Sequence, residues 1–274
     1  MSELGEMSEM LAHYEQNEEE KRLLAGTGAL EFARSQELIQ RYLPTPPGVI
    51  LDVGGGPGHY SSWLARLGYE VYLIDPVPKH VMLAKKASQN HPATPIAGIE
   101  KGDARHLVRA DASTDAVLLL GPLYHLTNPE ERAGALLEAH RVLRPDGLVF
   151  CAGVNRFASL ISGLKYGFVD DPYFIGILER DLAEGQHRNP KDVPAYWTSA
   201  ILQRPEELQA EVQEAGFTVI EVAAVEGPGM LAKNLQERLA TADRRAKLLE
   251  LIRAVEHEPS LWGMSDHFMV IGKK

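Results

Sequence analysis

Val49-Ile50-Leu51-Asp52-Val53-Gly54-Gly55-Gly56-Pro57-Gly58-His59 is the stretch on which the fold of this chain turns. Residues 49–53 form a short apolar run, the signature of a strand buried on both faces. The glycines that follow let the backbone turn sharply and let a ligand approach with no Cβ in the way. From His59 to Leu67 the pattern is helical, and Gly68 closes that helix as its C′ residue. The N-terminus of a helix behind such a turn offers free N–H groups to an anionic ligand group. A dinucleotide fingerprint, G-x-G-x-x-G, needs its third glycine at position 59, which is His59. The turn here is G-x-G-x-G with an acid two residues before it, which argues against a pyrophosphate cradle.

Reading outward, the strand–helix rhythm continues. Residues 70–74 read as a second strand ending at Asp75, and residues 78–88 as a helix. Residues 99–101 form a weak third strand before Gly102-Asp103, and residues 115–120 a fourth running into Gly121-Pro122. Asn128-Pro129-Glu130-Glu131 is a helix start: Asn caps, Pro takes the first position, and Glu131 lies three residues after the cap. That helix stops at Arg144-Pro145-Asp146-Gly147, and residues 148–154 form a fifth strand. Repeated units of this length predict a parallel sheet covered by helices on both faces. Ligands of such sheets bind at the carboxyl ends of the strands. There, Asp75 can accept the hydrogen bonds of a ribose diol and Asp103 that of an exocyclic amine such as adenine's. Together with the glycine turn they describe an adenosine site that needs no phosphate.

In order and spacing, Asp52–Gly58, Asp75, Gly102-Asp103-Ala104, Asp115–Gly121 and Leu143–Gly147 resemble the class I S-adenosylmethionine-dependent methyltransferases over roughly residues 45–155. Gly121-Pro122-Leu123-Tyr124-His125-Leu126 resembles a bacterial small-molecule branch of that family. The resemblance implies an α/β, Rossmann-like seven-stranded sheet of order 3-2-1-4-5-7-6 with the last strand antiparallel. It also implies S-adenosylmethionine as cofactor. Gly54, Gly55, Gly56 and Gly58, with Asp52, would meet the methionyl end, Asp75 and Pro76 the ribose, and Asp103 and Ala104 the adenine. The backbone at Leu120 and Gly121 would face the methionyl ammonium. In related enzymes the N-terminal helices close over the cofactor, which makes Tyr14 and Arg34 candidates, Arg34 for the methionyl carboxylate. The sulfonium carries the activation, so the protein must align an acceptor and exclude water.

The remainder divides around this core: residues 1–44 as an N-terminal helical cap, 45–154 as the cofactor-binding core, 155–203 as a mostly helical lid, and 204–274 as the completion of the sheet with helices at 230–256 inserted. In the cap, residues 8–25 read as one acidic helix and 29–43 as a second. His125 is a candidate general base, or else a histidine that fixes its loop through a backbone hydrogen bond. His187-Arg188-Asn189 either reads a polar acceptor or forms a plain surface loop. His267 reads as structural and Cys151 as inert core.

The chain has 38 acidic and 28 basic residues, a formal charge of −10, and residues 1–20 contribute seven glutamates and no Lys or Arg. Without a basic stripe, duplex DNA is disfavoured as a partner. No apolar run approaches the length of a membrane span, no secretory signal is visible, and a lone cysteine permits no intrachain disulfide, all of which suit the cytoplasm. No metal-ligand pattern stands out. The expected activity is methyl transfer from S-adenosylmethionine to a small-molecule acceptor. A methyltransferase of RNA or protein, a non-catalytic nucleoside-binding module and an NAD-dependent oxidoreductase are the alternatives.

Overall fold

The computed structural model describes residues 3–274. Nine strands occur among them: β1 (Val49–Val53), β2 (Glu70–Asp75), β3 (Gly98–Lys101), β4 (Thr114–Leu119), β5 (Leu143–Asn155), β6 (Gln186–His187), β7 (Ala200–Gln203), β8 (Thr218–Ala224) and β9 (His267–Lys273). The main sheet runs β3-β2-β1-β4-β5-β9-β8, with β9 antiparallel to both β5 and β8. With β6 and β7 set aside, this is the expected seven-stranded order. The two extra strands lie within residues 155–203, beside helices that make up most of that segment's regular structure. Between the helices Ala158–Tyr166 and Pro172–Glu184 and the end of the segment, β6 pairs antiparallel with β7. β7 in turn runs parallel to the far end of β5, Val154 facing Leu202. Thirteen residues make β5 long enough to outrun the sheet and carry this extra pairing. This segment is therefore stitched to the sheet by backbone hydrogen bonds.

Alternation along the strands sorts the core into two layers. Leu51, Val53, Val117, Leu119, Val149, Cys151, Phe268 and Val270 face one layer, with the helices Pro129–Val142 and Pro205–Glu214. Ile50, Ala116, Leu118, Phe150, Met269 and Ile271 face the other, against the helices Gly26–Tyr42, His59–Arg66 and Pro78–Gln89. Asp52, between Leu51 and Val53, belongs by parity to the second face.

Asn128 caps as expected, its side chain accepting from the Glu130 amide at 2.9 Å. The anticipated capping box does not form, because Glu131 turns to Arg105. Asn128→Ala should cost about 1 kcal/mol, a fall in melting temperature of about 2 °C in a chain of this size. The expected single helix over residues 8–25 is broken at Asn17-Glu18 into Glu3–Gln16 and Glu19–Arg22. Among the described residues no helix is long and apolar enough to cross a membrane.

Candidate active site

The carboxyl ends of β1, β2, β4 and β5 open into a cavity. Its floor is the glycine turn. Gly54, Gly56 and Gly58 all have positive φ, which L side chains rarely adopt. A Cβ on Gly54 would stand 2.8 Å from the Pro122 ring, whereas one on Gly56 would meet nothing within 4 Å and would project into open space. That space is where a ligand can lie against bare backbone. Gly58 does not reach the cavity: it starts the following helix and packs on Ala84 and Leu73. Its place in the expected cofactor set is corrected to a turn residue.

Asp52 lies beneath the turn, buried, with its Oδ2 accepting from the Ser61 hydroxyl at 2.6 Å. Burial pushes its carboxyl up to about 6. Asp75, at the end of β2, accepts from the Gly56 amide at 2.8 Å, the Val77 amide at 2.9 Å and His80 Nδ1 at 3.2 Å. A carboxylate has about four acceptor positions, so three are filled and one remains for a ribose hydroxyl. Asp103 is tied to its neighbour Arg105, and those hydrogen bonds hold its carboxyl below the usual range although burial works upward. Pro76, Ala104, Leu120 and Gly121 all line the cavity with Asp52, Asp75 and Asp103.

The N-terminal segment forms the opposite wall. The Glu3–Gln16 helix is fastened where Tyr14 donates to His125 Nε2 at 2.8 Å and Ser199 donates to Glu9 at 2.9 Å. Lys79 holds the carbonyl of Asn17 at 2.7 Å, and a His59 ring nitrogen bonds the Glu20 carbonyl at 2.8 Å. Tyr14 therefore lines the cavity.

Arg34 does not. Its side chain is fully buried beneath the wall, donating to the Val225 carbonyl at 3.1 Å, to Glu37 at 2.5 Å and to Glu256. The arginine at the cavity is Arg22, which grips Glu31 with both Nη atoms and reaches Glu19 at 2.6 Å. An apolar stripe on the Gly26–Tyr42 helix signals burial, but nothing local tells which arginine it takes inside.

His125 is engaged at both nitrogens. Ser199's carbonyl oxygen lies 3.3 Å from Nδ1 and can only accept, so Nδ1 carries the proton and Nε2 receives the Tyr14 hydroxyl. Burial pushes its imidazole down to about 4. A neutral, doubly bonded imidazole orients Tyr14 and has no lone pair left for a substrate proton, which favours the loop-fixing reading over the general base.

A second cavity of about 380 Å3 is lined by Tyr166, Phe168, Phe174, Tyr196 and Trp197 among others. The two cavities share Tyr14, Arg22, Tyr124 and His267 as a common wall. His187 is not on a surface loop: it is buried, bonded to Asp181 at 2.7 Å and to the Tyr196 carbonyl at 2.7 Å, and Asp181 also accepts from Ser159. Asn189 donates to the carbonyls of Val193 and Trp197, each at 2.8 Å. Trp197 sits at φ 65°, an uncommon conformation for a bulky residue, between this network and Tyr124.

His267, read from sequence as structural, is the functional candidate that sequence reasoning missed. Its Nδ1 donates to Glu226 Oε1 at 2.7 Å, and Glu31 Oε2 lies 3.8 Å away. Burial opposes its charge, but the carboxylates of Glu31 and Glu226 outweigh it and hold the imidazole up to about 9.

Residues 51–151 match a family described as a methyltransferase domain. That match covers 101 of the 274 residues, and S-adenosylmethionine is the cofactor it implies. Among curated proteins, the chain is 30% identical to the ubiquinone biosynthesis O-methyltransferase of Azorhizobium caulinodans over 64% of this chain and 61% of that protein. The enzyme of the same description from Methylocella silvestris is 35% identical over 46% of this chain and 50% of its own length. The chain thus spans half to three-fifths of these relatives. Among solved structures, the Burkholderia thailandensis 1,6-didemethyltoxoflavin-N1-methyltransferase, with 1,6-didemethyltoxoflavin and S-adenosylhomocysteine bound, shares the fold at a TM-score of 0.60 and 15% identity, covering 100% of this chain and 91% of that one. The residues present fit the cofactor: a bare backbone cradle at Gly56, a free acceptor position on Asp75 and an apolar ledge at Leu120.

Proposed function

We propose that this protein is a methyltransferase that moves a methyl group from S-adenosylmethionine to a hydroxyl on a small aromatic molecule held under the lid, in the cytoplasm. The observation that carries this is the shared wall: a cavity with a glycine floor opens directly beside an aromatic-lined cavity. The curated relatives, O-methyltransferases by name, support oxygen as the acceptor atom. The lid rings suit a flat apolar ligand. Asp266 Oδ1, buried in that cavity's wall with no partner among the described residues, suits a ligand that brings a hydrogen-bond donor.

In this reading Asp75 holds the ribose, Asp103 and Ala104 the adenine, and the turn with Leu120 and Gly121 the methionyl end. S-adenosylmethionine supplies an activated methyl group. The chain supplies alignment, exclusion of water by the N-terminal helix and lid, and an acceptor site. Calorimetric titration with S-adenosylhomocysteine, with NAD⁺ in a parallel cell, tests it. Saturable binding of the first alone is expected, and binding of NAD⁺ alone would sink it. Tyr14→Phe leaves His125 Nε2 without its donor and should weaken S-adenosylhomocysteine binding only about threefold to tenfold, the worth of one neutral hydrogen bond.

A further inference from the structure

We propose that His267, oriented by Glu226, takes the proton from the acceptor hydroxyl as the methyl group is transferred. The proposal rests on the methyltransferase reading above. Three observations carry it. His267 is a titratable side chain in the wall common to both cavities, where a nucleophile must meet the transferred methyl. Its Nδ1–H is committed to Glu226, whose other oxygen accepts the His267 backbone amide at 2.9 Å and the Ser265 hydroxyl at 2.8 Å. That carboxylate is therefore locked, and it fixes the ring orientation and tautomer. Nε2 has no partner among the described residues, and the side chain keeps 18% exposure in an otherwise buried region. His125, by contrast, has both nitrogens filled.

The step balances without a further reactant. Nε2 receives the proton as the acceptor O–H bond breaks. The oxygen bonds to the methyl carbon, and the electron pair of the broken S–C bond returns to sulfur. A methyl ether, a neutral thioether and an imidazolium paired with Glu226 result.

The charges facing His267 are Glu226 and Asp266 from its own end of the sheet, and Glu31 and Arg22 from the N-terminal helices. In the free protein they favour the imidazolium. A sulfonium beside the ring opposes that charge and so raises the fraction of neutral imidazole when the methyl donor is present. Glu31, Glu226 and His267 also place ligand atoms within 4.8 Å of one another, as a cation site would. However, Arg22 already grips Glu31 and the Nδ1 proton already occupies Glu226, so the cluster is charge-compensated.

The test is imidazole NMR on the 274-residue protein with labelled histidine, the His267 signal being assigned by its absence from H267N. We expect His267 to titrate near 9 in the free protein. In E226Q it should titrate about one pH unit or more lower. Saturating S-adenosylmethionine should lower it by about one pH unit more than S-adenosylhomocysteine, which lacks the positive charge. Equal titration with both compounds bound would overturn the proposal, because the ring would then be remote from the sulfonium. Stoichiometric displacement of the His267 proton by Mg2+ or Zn2+ would also overturn it and assign the cluster to a cation. Failure of both adenosyl compounds to bind would instead overturn the methyltransferase reading, and this proposal with it.

Discussion

Asp75→Ala will weaken binding of S-adenosylhomocysteine about 100-fold, the loss expected when a charged acceptor and the loop it organises go together. Asp75 is 3% exposed and ties three donors: the Gly56 amide, the Val77 amide and His80. In the proposed reading, removing the carboxylate deletes the contact to the ribose. It also releases the turn at Gly56, whose positive φ places bare backbone against the ligand. Asp75→Asn separates the two effects, since an amide keeps the volume but can satisfy fewer of the donors. Its affinity should fall between wild type and alanine. A change below tenfold in the alanine variant would show that Asp75 serves only the turn.

Glu256→Ala will cost about 3 kcal/mol of stability and leave S-adenosylhomocysteine affinity unchanged. Arg34 is 0% exposed, and Glu256 is its buried counter-ion. Truncation leaves a buried guanidinium with only Glu37 and a carbonyl, and breaking one side of such a pair is strongly destabilising. Neither Arg34 nor Glu256 lines the cavity, so the cofactor site should survive. Urea denaturation at neutral pH reads the loss. Burial pushes the Glu256 carboxyl up, but hydrogen bonds from Arg41 and Arg34 outweigh it and hold it below its ordinary value. A depressed folded-state value means that the stabilisation is full above the ordinary glutamate range and fades as pH falls through the depressed one. The gap between wild type and variant should therefore narrow in acid. A variant that melts normally but no longer binds the cofactor would put Arg34 back in the site.

Most of the glycine-turn side of the molecule was legible locally. The strand before Gly54, the positive-φ glycines, the acid closing β2 and the Asn128 cap are each set by a few neighbouring residues, and the structure has them all. The misreadings have a common cause. Arg34 and Arg22 are twelve positions apart, and their fates depend on Glu256 and Glu31, one of them more than 200 residues away. The strands β6 and β7 escaped notice because a two-residue strand has no periodicity, and Ala200–Gln203 becomes a strand only by lying against the overhang of β5.

The amino-acid order alone determined the alternation of strands and helices, the two-layer core and the glycine-turn wall of the cofactor site. Backbone φ preferences, caps and the two-residue period act over short distances and are written in adjacent letters. Which ionisable groups lie at the junction of the two cavities, and in what charge state, came from the packing. His125 is silenced by Tyr14 and Ser199, and His267 is charged by Glu31 and Glu226. Burial and pairing shift a proton by amounts that depend on partners brought together from distant parts of the chain, and no local reading of a histidine contains them.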